Sequence, residues 1–145
     1  MGWRKRLWPA MLGGTFFGVF GPLVGLGTWA LIATVVTLNP LAAVMFIAQW
    51  QEAIRAGLIP ALILGIIAGV LKPTNETLRG LILLAITGSL LAIAWNLVAD
   101  AYGIMRPSMA MSWEHAAAVA KVIGIPALLA SSLVLTWFRH VREPW

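Results

Sequence analysis

The sequence contains no cysteine, which excludes disulfides and thiolate metal sites. Charge is scarce as well: 10% of the 145 residues are charged, against about 25% in a soluble domain. A chain that is 61% hydrophobic with so little charge cannot build a water-facing shell, so the composition specifies an integral membrane protein, and its long apolar runs specify an all-α one. Carboxylates number only five, and none forms a catalytic pair. Walker loop, dinucleotide fingerprint and nucleophile elbow are all missing. The chain is therefore read as a non-enzyme with no catalytic residue. The only histidines, His115 and His140, lie 25 residues apart, roughly 37 Å along a helix, too far to share a metal within one chain. No metal-ligating or cofactor-binding residue is assigned, and His140 reads as a cation at a helix C-terminus.

What is present is mostly apolar helix with tryptophan at its borders. The net charge of +5 does not point to nucleic acid, because the basic residues sit at span boundaries. Arg4, Lys5, Arg6, Lys72, Arg79, Arg139 and Arg142 fall on one side, against Arg55, Arg106 and Lys121 on the other. The positive-inside rule then puts both termini and the middle turn in the cytoplasm, with four spans. A five-span variant using residues 30–48 as an extra helix fits the charges less well. The basic start resembles a signal peptide, but no good cleavage site follows, and it is read as an uncleaved first helix.

Trp8 and Trp29 bracket the first span, roughly 31 Å apart, about one hydrocarbon thickness. Within it Gly14, Gly18, Gly21 and Gly25 form two small-xxx-small faces for close helix packing, and Pro22 predicts a kink near Gly18. Asn39-Pro40 reads as an N-cap and first helical residue, opening helical sequence that runs to Lys72 before Pro73. Residues 55–72 form the second span, with Gly65 and Gly69 as another packing face. Residues 41–54 must lie in the interface, re-enter the membrane or contact a partner. Residues 74–77 make a polar turn, the third span runs from Arg79 to about Tyr102, and Ser108 or Ser112 caps the last helix, which Pro126 interrupts.

One tetrapeptide organises the rest. Ile59-Pro60-Ala61-Leu62 returns 66 residues later as Ile125-Pro126-Ala127-Leu128, and Trp29 matches Trp95 at the same shift. The chain is read as one membrane domain of two tandem helical hairpins, residues 11–72 and 78–140, related as a parallel internal repeat.

Glu52, Arg55, Asn96, Asp100, Glu114, His115 and Lys121 gather near the outer helix ends. They read as an ion-binding cluster or, more simply, as caps and ion pairs at headgroup level. Aromatic belts account for the tryptophans, and the mid-span hydroxyls Thr15, Thr28, Thr87, Ser89, Ser131 and Ser132 are expected mostly to bond their own helix backbone. The outer part of the first hairpin is almost wholly apolar, which makes Val44 and Ile47 a candidate partner face. Gly21-Pro22-Leu23-Val24-Gly25 followed by the Ile-Pro-Ala-Leu helix resembles small bacterial inner-membrane proteins. That resemblance implies a location and no activity. The expected function is a non-catalytic accessory or scaffold subunit of a larger bacterial inner-membrane complex, such as a respiratory or photosynthetic one. It would work in the lipid bilayer beside other subunits or copies of itself. The alternative is a small homo-oligomeric transporter or channel for an ion or small solute.

Overall fold

The computed structural model of the chain describes residues 3–71, 77–104 and 112–142. Among them the helices are α1 (Trp3–Thr37), α2 (Pro40–Ala48), α3 (Trp50–Val70), α4 (Leu78–Ala101), α5 (Trp113–Val119) and α6 (Ile125–Arg142), with a π-helical turn at Ala120–Gly124. Four stretches among the described residues are long and apolar enough to cross a membrane: Leu7–Thr37, Trp50–Val70, Leu78–Ala101 and Trp113–His140. The stop at Pro73, the turn at 74–76 and the alternative cap at Ser108 lie outside the described residues.

Local chemistry fixes the helix ends. Leu38 adopts a left-handed φ of 52° to end α1, and Asn39 Oδ1 then accepts from the Leu41 amide at 3.0 Å to start α2. Thr77 and Ser112 cap α4 and α5 in the same way, accepting from the Gly80 and His115 amides at 3.0 and 3.1 Å. Helix α4 finishes in a Schellman motif: Ile104 N–H donates to Ala99 O, Gly103 N–H donates to Asp100 O, and Gly103 takes a φ of 66°. The helical sequence expected from 39 to 72 is broken once, at Gln49, which leaves helical geometry and makes no side-chain cap. Pro126 has no N–H and its ring crowds the preceding turn. The chain meets it with the π turn just upstream, which widens the helix by one residue.

Lipid offers no hydrophobic drive between helices, so packing and hydrogen bonds decide which surfaces meet. Helices α1 and α3 meet most closely. A Cβ added at Gly13 or Gly65 would collide with the other residue's carbonyl, and one at Gly69 with the Pro9 carbonyl. The four long helices form a ring in the order α1, α3, α4, α6, with α6 returning to α1. Their terminal half, next to the ends of the chain, is filled by Phe17, Leu64, Leu84, Val134, Leu135 and Phe138. Phe16 and Phe20 meet Trp137 edge to face with ring centroids 5.2 and 4.8 Å apart, joining α1 to α6. Outward-facing Val19, Ile63, Ile86, Leu90 and Leu133 are exposed, as a lipid-facing belt requires. Thr28, Thr87 and Ser132 donate to the carbonyl four residues back at 2.8 Å each, so these hydroxyls spend themselves on their own helices, whereas Ser89, expected to do the same, donates across to Gly124 O.

The glycine contacts yield a comparison between two positions on one helix pair. Gly65→Ala is expected to destabilise the protein by about 1–3 kcal/mol through overpacking. At Gly25 nothing lies within 4 Å of the added Cβ. Gly25→Ala therefore leaves stability unchanged or raises it by up to about 1 kcal/mol, the helix-propensity gain. Unfolding midpoints of both variants in one detergent check the contrast, and equal losses would contradict it.

Candidate functional site

Above the level of Phe17 the inward-facing residues change size. Helix α3 presents Ala53, Ala56, Gly57, Pro60 and Ala61, spaced to share one face, and α4 presents Gly88 and Ala92. On the other walls stand Gly25 and Pro22 of α1 and Ala118, Pro126 and Ala127 of the last helices. Helices kept apart by the bulky terminal half cannot close over side chains this small. A cavity of about 480 Å³ remains in the distal half, where α3 begins and α4 ends. Its lining runs along α4 from Asp100 to Gly88, roughly 18 Å of helix. Phe17 and Val134, each 1% exposed, form the floor.

The polar groups are concentrated at the mouth: Gln49, Glu52, Asn96, Asp100 and His115. Asp100 is only 7% exposed, and its Oδ2 lies 3.1 Å from Nε2 of His115. The acid sits in the last turn of α4, where the negative end of the helix dipole opposes it. The contact with His115 therefore holds this buried carboxylate, not the helix end. Asn96, 8% exposed, donates from Nδ2 to Ala92 O at 2.8 Å and reaches Ala56 O at 3.5 Å. Ala56 is the residue whose carbonyl an α-helix would bond to the amide at position 60, and proline has none. Asn96 thus turns toward an acceptor that Pro60 has released. One residue earlier on each helix, Trp95 Nε1 donates to Arg55 O at 3.2 Å, a second tie between α4 and α3. On the opposite wall Ser89 donates to Gly124 O at 2.7 Å, just upstream of Pro126. Ser131, deeper in, lines the cavity beside Gly88.

Of the seven polar residues singled out in the sequence, the structure brings Glu52, Asn96, Asp100 and His115 together around this opening. Arg55 points away, pairing with Glu52 at 3.7 Å with both side chains more than half exposed. Glu114 and Lys121 are exposed and do not line the cavity. The glycines also divide. Gly65 and Gly69 lie against α1, while Gly14, Gly18 and Gly21 lie against Ile66, Leu62 and Ala61 of α3. Gly25 faces the open cavity. Val44 and Ile47 on α2 are 61% and 55% exposed. Sequence reading did not single out Pro22, Gly88, Ala92 or Ser131 as cavity walls. The signal available was the run of small residues at positions 53, 56, 57, 60 and 61, which reads equally well as a close-packing face. No family profile, characterised protein or solved structure matches the chain.

The link between Asn96 and Pro60 can be measured by a double-mutant cycle. Asn96→Ala is expected to cost about 1–2 kcal/mol. With Pro60→Ala in place, which restores an amide for Ala56 O, the same change should cost visibly less. Identical costs in the two backgrounds would show that Asn96 does not serve the proline-released carbonyl.

Proposed function

We propose that this chain is a non-catalytic accessory subunit of a bacterial inner-membrane complex, and that its helical body holds a small molecule. The observation that carries this reading is the distal cavity. At about 480 Å³ it falls within the range of about 300–1,000 Å³ usual for small-molecule pockets, and it is mostly apolar with a few convergent polar groups. Its chemistry suits holding better than reacting. Ser131 and His115, the hydroxyl and the imidazole that line the cavity among the described residues, lie 16 residues apart on one helical stretch, roughly 24 Å, so that hydroxyl does not meet that base. The charge distribution supports cytoplasmic termini, which would open the cavity to the outer side. That Pro60 and Pro126 both line it favours descent from a duplicated hairpin with a period of 66 residues. Transport is the second reading, and it requires the Phe17–Val134 floor to part.

Docking to other subunits would use the tip of the first hairpin. There Leu38 and Leu41 are 89% and 66% exposed, and they continue the apolar surface of Val44 and Ile47.

Isolation of the full chain from its own membrane in lipid nanodiscs, followed by native mass spectrometry, tests both parts. Wild-type protein is expected to carry a bound small molecule and companion subunits. Gly25→Leu, which puts a side chain into open space, should lose the small molecule and keep the companions. Val44→Asp with Ile47→Asp should do the reverse. Selective solute flux through liposomes containing the purified chain would replace this reading with the transport one.

A further inference from the structure

Granting that the cavity holds a ligand, its mouth specifies which charge the ligand carries. We propose that the cavity takes a lipophilic cation, with an apolar body among the small residues of the deep half and a cationic or hydrogen-bond-donating head beside Asp100, Asn96 and Glu52.

Four observations lead there. First, the free capacity at the mouth is for accepting. Among the described residues, Asn96 commits its amide nitrogen to Ala92 O and Ala56 O and no hydrogen bond reaches its Oδ1, and Asp100 commits Oδ2 to His115 and no hydrogen bond reaches its Oδ1. Both residues are more than nine-tenths buried, so an unmatched acceptor there is costly and a donor is worth correspondingly more. Second, the charges lining the cavity have one sign apart from the histidine. Glu52 and Asp100 face it, and among the described residues no lysine or arginine does. Lys121 is exposed outside it, and Arg55, exposed as well, pairs with Glu52 at 3.7 Å. Asp100 is thus the acid facing the cavity that no described lysine or arginine answers. Among the described residues lining the cavity an anion would find no cation except His115, which already holds Asp100, and only the neutral amide of Gln49 to donate to it at the rim. Third, α4 ends at the mouth, and the negative end of its dipole favours a cation there. The positive end of α3 also opens at the mouth but is answered within its own first turn by Glu52. Fourth, Trp29 lines the same space, and an indole face attracts a desolvated cation. Below these groups the wall offers little but methyl and methylene surface, with Ser131 as the polar exception among the described residues. The ligand must therefore be apolar for most of its length.

Two isosteric probes of opposite charge separate charge from shape: tetraphenylphosphonium and tetraphenylborate. Their binding to the full chain in zwitterionic nanodiscs is measured by equilibrium dialysis against empty discs, with neutral triphenylmethane as the uncharged control. The cation is expected to saturate at one per chain and to bind at least tenfold tighter than the borate. Asp100→Asn should weaken the cation at least tenfold and leave triphenylmethane unchanged. Should that variant fail to fold, Glu52→Gln, at the exposed rim, should weaken the cation severalfold by the same argument. Borate binding as tight as the cation's, or cation binding indifferent to whichever of these variants folds, would overturn the charge assignment while the cavity stood. If none of the three probes saturates and Gly25→Leu alters nothing, the ligand-holding reading falls with it.

Discussion

Within a bilayer no water is available to a backbone carbonyl, so each one that a proline releases must find a donor inside the protein. That constraint shapes the interior of this chain. Pro60 and Pro126 are both buried and both face the cavity, and each is answered in a different way. Beside Pro60, α3 stays regular and Asn96 leans across from α4 toward the Ala56 carbonyl. Ahead of Pro126, the helix itself changes pitch into a π turn, and Ser89 of α4 bonds the Gly124 carbonyl at the edge of it. Helix α4 therefore supplies donors to both of its neighbours, seven residues apart on nearly one face. Its polar residues are first of all structural ties, and the open oxygens at the cavity are what remains after those ties are made.

Small side chains serve opposite purposes in the two halves of the molecule. On the terminal half they bring backbones together: Gly13 faces Gly65 and Gly69 faces Pro9 with no room for a Cβ. On the distal half Gly25, Ala56 and Ala92 leave space unfilled, while Gly88 is held tight against Ser131 and Leu64. The difference comes from the neighbours and not from the residues themselves. Phe16, Phe17, Phe20, Trp137 and Phe138 prop α1 and α6 apart at a fixed spacing, and whatever stands above that prop must span the gap or leave it open.

This explains which parts of the molecule could be read from the sequence. Span positions followed from apolar runs and their tryptophan borders. The cap at Asn39, Ser112 as one of two candidate caps, and the polar turn whose Thr77 caps α4 followed from residue type, because each cap acts within three residues of itself. The break at Gln49 was not legible: it lacks a proline, a glycine or a side-chain cap. Nor was the π turn, since Pro60 and Pro126 sit in the same tetrapeptide and only one carries it. For the polar residues, sequence gave depth and not direction. Asp100 and His115 meet because two helix faces turn toward each other, while Glu114, next in sequence to His115, turns outward by the same rotation.

The helix lengths carry a consequence for the surrounding lipid. On one side of the molecule residues 7–37 make roughly 46 Å of unbroken helix, while across the ring α4, at 24 residues, makes roughly 36 Å. A hydrocarbon layer of about 30 Å cannot match both sides at once. Lipid beside α1 must stretch or α1 must lean, and lipid beside α4 is strained less. The molecule thus sits in a thickness gradient of its own making. In a membrane of mixed chain length that gradient gives it an orientation and a preferred neighbourhood before any protein touches it.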